Sequence, residues 1–163
     1  ERGRIARREP LYVEGLNALA MTLSSMHQGE KLLVGALRYA GEAADRAIDI
    51  GVLDGLIGAL SVQVRVLTTL GRLGEADAKM SELDQALASA IDATPRLARL
   101  TAEVEHHRAR LLAAQGKADA AASALALARQ ELLAQADCLA GTPYRQSFVE
   151  GRLIHREIMA GAP

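Results

Sequence analysis

Apolar residues return at helical intervals along almost the whole chain. Leu16, Leu19, Ala20, Leu23 and Met26 follow one another in this way, and so do Leu53, Leu56, Leu60, Val64 and Leu67. Steps of three and four line one face of a helix, whose backbone turns once in 3.6 residues. The series continues through Leu97, Leu100, Val104, Leu111 and Leu112, then through Leu125, Leu127, Leu132, Leu133 and Leu139. No stretch alternates every second residue between turn signals, so the pattern predicts an all-α chain without strands.

Helix breakers divide this pattern. Pro10 suits the first turn of a helix, where a missing N–H is no loss. Thr94-Pro95 and Thr142-Pro143 are stronger starts: the hydroxyl accepts from an early backbone N–H and the proline presets the first turn. Gly29, Gly71, Gly116 and Gly141 stand where helices should stop, because glycine enters the left-handed conformation without a Cβ clash. The expected helices are 11–27, 30–50, 52–70, 75–92, 95–115, 118–140 and 143–160. Gly55 and Gly58 fall inside the third, each at a cost of about 1 kcal/mol against alanine. Tight helix packing or a late helix start is the favoured reading; a close approach to a ligand or a hinge is the other.

Composition narrows the function classes. Half the chain is apolar but only 2% is aromatic, so Leu, Ala, Val and Ile must pack it, which favours close helices over a sheet. A net charge of −1 gives no support to a nucleic-acid partner. No apolar run reaches the ~18 residues of a membrane span; the richest, Gly51 to Val66, is interrupted by Asp54, Gln63 and Arg65. The one cysteine, Cys138, leaves no internal disulfide and fits a reducing, cytoplasmic compartment. Glu1 opens the chain without an initiator Met or a secretory signal, which suggests a piece cut from something longer. Residues 1–10, with Arg2, Arg4, Arg7 and Arg8 against Glu1 and Glu9, read as a basic linker or the remnant of a preceding helix. A contact with nucleic acid or anionic lipid is less favoured without interleaved aromatics.

One turn recurs. Leu70-Gly71-Arg72-Leu73-Gly74-Glu75-Ala76 matches Gln115-Gly116-Lys117-Ala118-Asp119-Ala120-Ala121 in its glycine, the basic residue after it and the alanine five positions on. The two glycines are 45 residues apart, a period that points to stacked helical pairs. This turn resembles that of the tetratricopeptide-repeat family, where glycine ends helix A and a small residue near the start of helix B packs into it. In that register Ala109, Leu112, Ala121, Leu125 and Ala128 match one repeat, and Leu60, Leu67, Ala76 and Leu83 another, with Val64 at the small helix A position. Ala36, Ala40 and Ala43 match the first hairpin loosely. The family's aromatic positions are aliphatic here, and its usual interval is 34 residues. The resemblance implies a right-handed stack of three antiparallel helical hairpins over 11–140, closed by a capping helix and tail over 141–163.

The end of the chain carries a second resemblance. Leu111-Leu112-Ala113-Ala114-Gln115-Gly116, Gln135-Ala136-Asp137, then Tyr144-Arg145-Gln146-Ser147-Phe148-Val149-Glu150 and His155-Arg156-Glu157-Ile158 look like the closing segment of large bacterial regulators. Those place an AAA-like or STAND ATPase, sometimes with a cyclase, kinase or DNA-binding domain, before a tetratricopeptide tail. The resemblance implies a regulatory arm; no phosphate-binding loop of such an ATPase occurs in this chain.

Chemical motifs are few. Adjacent helical residues such as His106 and His107 point about 100° apart and cannot readily share a metal. Glu103 and His106 have the Glu-x-x-His spacing of di-iron bundles, but no second such motif exists. His27 and His155 are isolated. Cys138 lies near a helix end that disfavours a thiolate, and reads as a small packing residue. We expect no metal, no cofactor and no catalytic residue. The tetratricopeptide resemblance instead implies a concave groove lined by exposed helix A residues: Ser61, Arg65 and Thr68, then Glu103, His106 and Arg110. Arg65 and Arg110 are also 45 apart, and paired guanidinium groups suit a carboxylate, phosphate or acidic peptide; the plainer reading is a solvated arginine, with Arg110 pairing to Glu103 or Glu105. The expectation is a regulatory protein–protein interaction module that takes a peptide or partner domain, including another domain of the same parent protein. A homodimerisation scaffold and a small anionic-ligand sensor are the alternatives.

Overall fold

The computed structural model describes residues 9–25 and 29–161. The basic segment 1–8, and Met26 and His27, lie outside them. Among the described residues all regular structure is helical and no strand occurs. Eight α-helices follow in order: α1 (Glu9–Ser25), α2 (Glu30–Ile50), α3 (Leu53–Thr69), α4 (Leu73–Ala93), α5 (Thr101–Ala114), α6 (Ala118–Asp137), α7 (Tyr144–Gly151) and α8 (Leu153–Ala160), with a 3-10 turn at Pro95–Leu100. The chain divides into two compact units, Glu1–Ala93 and Thr94–Pro163.

In the first unit each helix packs on the next, and α1 also packs on α3. Its cores are built from small side chains: Ala20, Ala36 and Ala40 with Val62 and Val66, and Leu16, Ala43, Ala44 and Ala59. Because α3 touches α1, α2 and α4, it is buried all round, from Gly55 and Ile57 through Gln63 to Leu67. That accounts for the apolar run noted above; no described helix is long and apolar enough to cross a membrane. The two internal glycines of α3 are crossing residues. A Cβ on Gly55 would stand 2.8 Å from Cγ1 of the fully buried Val13, and one on Gly58 would stand 3.2 Å from Asn17 Nδ2. Asn17 Nδ2 itself donates to the Gly55 carbonyl at 2.9 Å, and Gln63 Nε2 donates to the Ala40 carbonyl at 3.1 Å.

The repeated turn is the same down to its hydrogen bonds. Gly71 N–H donates to Thr68 O and Arg72 N–H to Leu67 O; Gly116 N–H donates to Ala113 O and Lys117 N–H to Leu112 O. Both glycines are left-handed, at φ 71° and 76°, in the pattern that satisfies the last carbonyls of a helix. A third copy ends α2, where Gly51 (φ 69°) donates to Ile48 O and Val52 to Ala47 O. The alanine after each recurrent turn, Ala76 or Ala121, is buried.

Two expected helices are each divided in two. The one over 95–115 begins as the 3-10 turn, in which Leu97 N–H donates to Thr94 O at 2.9 Å and the Thr94 hydroxyl caps nothing. A three-residue turn sets Leu97 and Leu100 on one side, and Leu97 is buried. The helix over 143–160 breaks at Arg152, which is extended (φ −99°, ψ 136°). At Thr142 the expected cap is present: its Oγ1 accepts from Tyr144 N–H at 3.3 Å.

Candidate functional site

The densest polar grouping lies within the second unit, where α8 rests on α5 and α6. Its floor is apolar: Ala102 from α5, with Ala128 and Leu132 from α6, receives Ile158, all nearly or fully buried. Around that floor the α5 side chains Glu103, His106 and Arg110 face polar side chains of the C-terminal segment. Glu103 pairs with Arg152 and lies 3.9 Å from His155 Nε2. His106 Nε2 is 3.3 Å from Glu157 Oε2, and Arg110 Nη1 is 4.0 Å from the same oxygen. On α6, Arg129 Nη2 donates to the Met159 carbonyl at 3.2 Å and approaches that of Ile158 at 3.4 Å, so its charge meets the negative end of α8. Gly161, left-handed at φ 73°, completes that end; a Cβ there would stand 2.6 Å from Arg129 Nη2.

The break at Arg152 makes this arrangement possible. His155 Nδ1 contacts the Phe148 carbonyl at 2.7 Å, and the two rings meet at a tilt of 54° with centroids 4.8 Å apart. In a continuous helix residues seven apart are separated by roughly 10 Å along the axis, beyond such a bond. Since a carbonyl only accepts, Nδ1 carries the hydrogen. Nε2 faces both Arg152 Nη1, 3.4 Å away, and the Glu103 carboxylate, 3.9 Å away. Arg156 likewise folds back to donate to the Glu150 carbonyl at 2.7 Å, and Arg145 reaches Asp137 at 2.9 Å. Burial by itself would push the Glu103 carboxyl up; the neighbouring His155 ring, the Arg152 guanidinium and the charge of His107 outweigh it and hold the group below its ordinary value.

The six residues expected to line a groove are distributed as follows. Ser61 is buried in α3. Arg65 and Thr68 are half-buried on the same helix, with Thr68 Oγ1 donating to the Val64 carbonyl at 2.8 Å. Glu103, His106 and Arg110 come together at the seat of α8, where His106 is 1% exposed. The expected exposure of Ser61 and His106 is therefore not observed: the chain's own packing covers both. Arg110 has Glu157 as an ion-pair partner, across the seat instead of along its own helix. Cys138, expected as a packing residue, is exposed at the end of α6, its thiol 3.6 Å from the Ala134 carbonyl. Sequence reasoning passed over Arg129, Arg152 and Glu157, although the His-Arg-Glu-Ile segment had drawn attention as a resemblance. Among the described residues no group of three His, Cys, Asp or Glu side chains could hold a metal ion.

No protein-family model, curated protein or solved structure matches the chain.

Proposed function

We propose that the chain is a tetratricopeptide-like protein-interaction module, serving a larger signalling protein as a regulatory part. The observation that carries this reading is the recurrent turn, with the same two backbone hydrogen bonds after α3 and α5 and a buried alanine in the helix after each. Links of three residues between helices that pack together, as between α3 and α4 and between α5 and α6, suit helical hairpins. The contact of α1 with α3, beside that of each with α2, suits one hairpin set against the next. Burial follows most of the repeat register: Leu60, Val64, Leu67, Ala76 and Leu83, then Ala109, Ala121 and Ala128, are core residues, while Leu112 and Leu125 are half-buried. Repeats of this kind present polar helix A side chains to a peptide or partner domain, which assigns Arg65 and Thr68 in the first unit and Glu103 and Arg110 in the second to recognition.

Selecting peptides from a displayed random library against the whole chain tests the reading. The expected binders are acidic, and lose at least tenfold in affinity when Arg65→Glu or Arg110→Glu is introduced. Binders indifferent to both substitutions would remove helix A from the recognition surface.

A further inference from the structure

We propose that the cleft of α5 and α6 beneath α8 is a helix-binding groove that the chain occupies with its own last helix, and that its partner is an amphipathic helix of the same pattern. That pattern is an arginine at the N-cap, a carboxylate five residues later and a bulky aliphatic residue directly after it, as in Arg152, Glu157 and Ile158. The proposal rests on reading the chain as an interaction module and adds the partner's chemistry and a self-occupied state.

The groove is selective for helix direction as well as for side chains. Glu103 lies at the N-terminal end of α8, where Arg152 meets it, and Arg129 lies at the C-terminal end, against the carbonyls of Ile158 and Met159. A negative group at the start of a helix and a positive one at its end complement the helix dipole. A helix entering the other way would set its carbonyls against Glu103 and its first N–H groups against Arg129. Between these ends, Ala102, Ala128 and Leu132 receive one aliphatic side chain, while His106 and Arg110 receive one carboxylate. Glu103, His106 and Arg110 are the α5 positions at which the tetratricopeptide resemblance seats a ligand.

The resident helix is held in a way that permits exchange. α7, which leads into it, has no buried residue. α8 buries only His155 and Ile158. The remaining attachments are Phe148, Ile154 and Met159 packed half-buried against the floor, the half-buried Glu157 with His106 and Arg110, Arg129 on the last carbonyls, and two pairs with an exposed member, Arg145 with Asp137 and Arg152 with Glu103. The exposed pair of Arg145 with Asp137 holds weakly in water, and an incoming helix of like pattern remakes each contact made on α5 and α6.

The test uses the whole chain and a fluorescent peptide of residues 144–161. In the Arg152→Glu chain the resident helix is repelled by Glu103 while the groove is intact. That chain is expected to bind the peptide at least tenfold more tightly than the unaltered chain does, with faster amide exchange over 153–160. A Glu103→Arg chain should reject the natural peptide and accept one carrying Arg152→Glu. Unchanged exchange over 153–160 in the Arg152→Glu chain overturns the idea that α8 is displaceable. Faster exchange without peptide binding overturns the groove. An unaltered chain whose mass doubles with concentration, losing the doubled form on Arg152→Glu, assigns the groove to a second copy and overturns the partner-helix form. The charge-swapped pair separates this inference from the broader reading: missing rescue sinks only the inference, whereas absent Arg65-dependent binders count only against the helix A surface of the first unit.

Discussion

In the first unit the helices meet over alanine and glycine, and the polar side chains among them, Asn17 and Gln63, each give an N–H to a backbone carbonyl of the neighbouring helix. In the second unit the last helix meets α5 through two carboxylates, two imidazoles and two guanidinium groups, with a small apolar floor at the centre. One unit owes its packing to shape, the other owes its last contact to charge. Shape complementarity between apolar surfaces is insensitive to pH and salt, whereas ion pairs at the edge of a groove are screened and titrate. The difference teaches where a chain of this kind is fixed and where it is adjustable.

Four measurements sharpen or break that comparison. The largest effect is expected from Leu132→Ala, which empties the floor under α8 and should cost about 2–5 kcal/mol. Hydrogen exchange followed separately over 9–93 and 94–161 checks that the loss falls on the unit that holds Leu132. Next comes Glu103→Gln, which leaves Arg152 without its carboxylate and should cost about 1.5–3 kcal/mol at neutral pH. This effect has a defined pH dependence. The Glu103 carboxyl is held below its ordinary value by the surroundings described above, so its stabilisation is full above about pH 4.3, the unfolded value. It is lost as the pH falls toward and through the lower folded value. Denaturation midpoints at pH 7 and pH 3 should therefore differ more for the natural chain than for Glu103→Gln. Equal differences would show that the charge contact contributes nothing.

Smaller effects distinguish glycines of the first unit. Gly55→Ala should destabilise by up to about 2 kcal/mol: the helical gain of about 1 kcal/mol is set against forcing a methyl onto the buried Val13, an overpacking worth about 1–3 kcal/mol. Gly15 in α1 has nothing within 4 Å of a Cβ built on it, so Gly15→Ala should stabilise by about 0.5–1 kcal/mol. Urea midpoints for the two variants should move in opposite directions. Movement in the same direction would mean that propensity, not the helix crossing, sets the role of Gly55.

Much of the helical plan was legible because it is local. The steps of three and four, the breakers at Gly71 and Gly116 and the identity of the two turns depend only on neighbours in the chain. The sequence places Gly51 between the helices 30–50 and 52–70 but, with no basic residue after it, does not mark it as a copy of the turn, yet its backbone makes the same bonds. The packing role of Gly55 and Gly58 could be favoured but not located, since the atoms that decide it, Val13 and Asn17, lie about forty residues away. The candidate site was half legible. Glu103, His106 and Arg110 stood out by their place in the repeat, while their counterparts Arg152, His155 and Glu157 are about fifty residues distant and carry no periodic signal.

The sequence by itself determined that the chain is helical, where most of its helices end and which turn recurs, because hydrogen-bonded turns and amphipathic faces are short-range consequences of residue order. Only the tertiary structure decided that the last helix breaks at Arg152 and which groups it meets. A side chain on one helix selects its partner on another through shape and charge brought together by folding, and no spacing along the chain encodes that meeting.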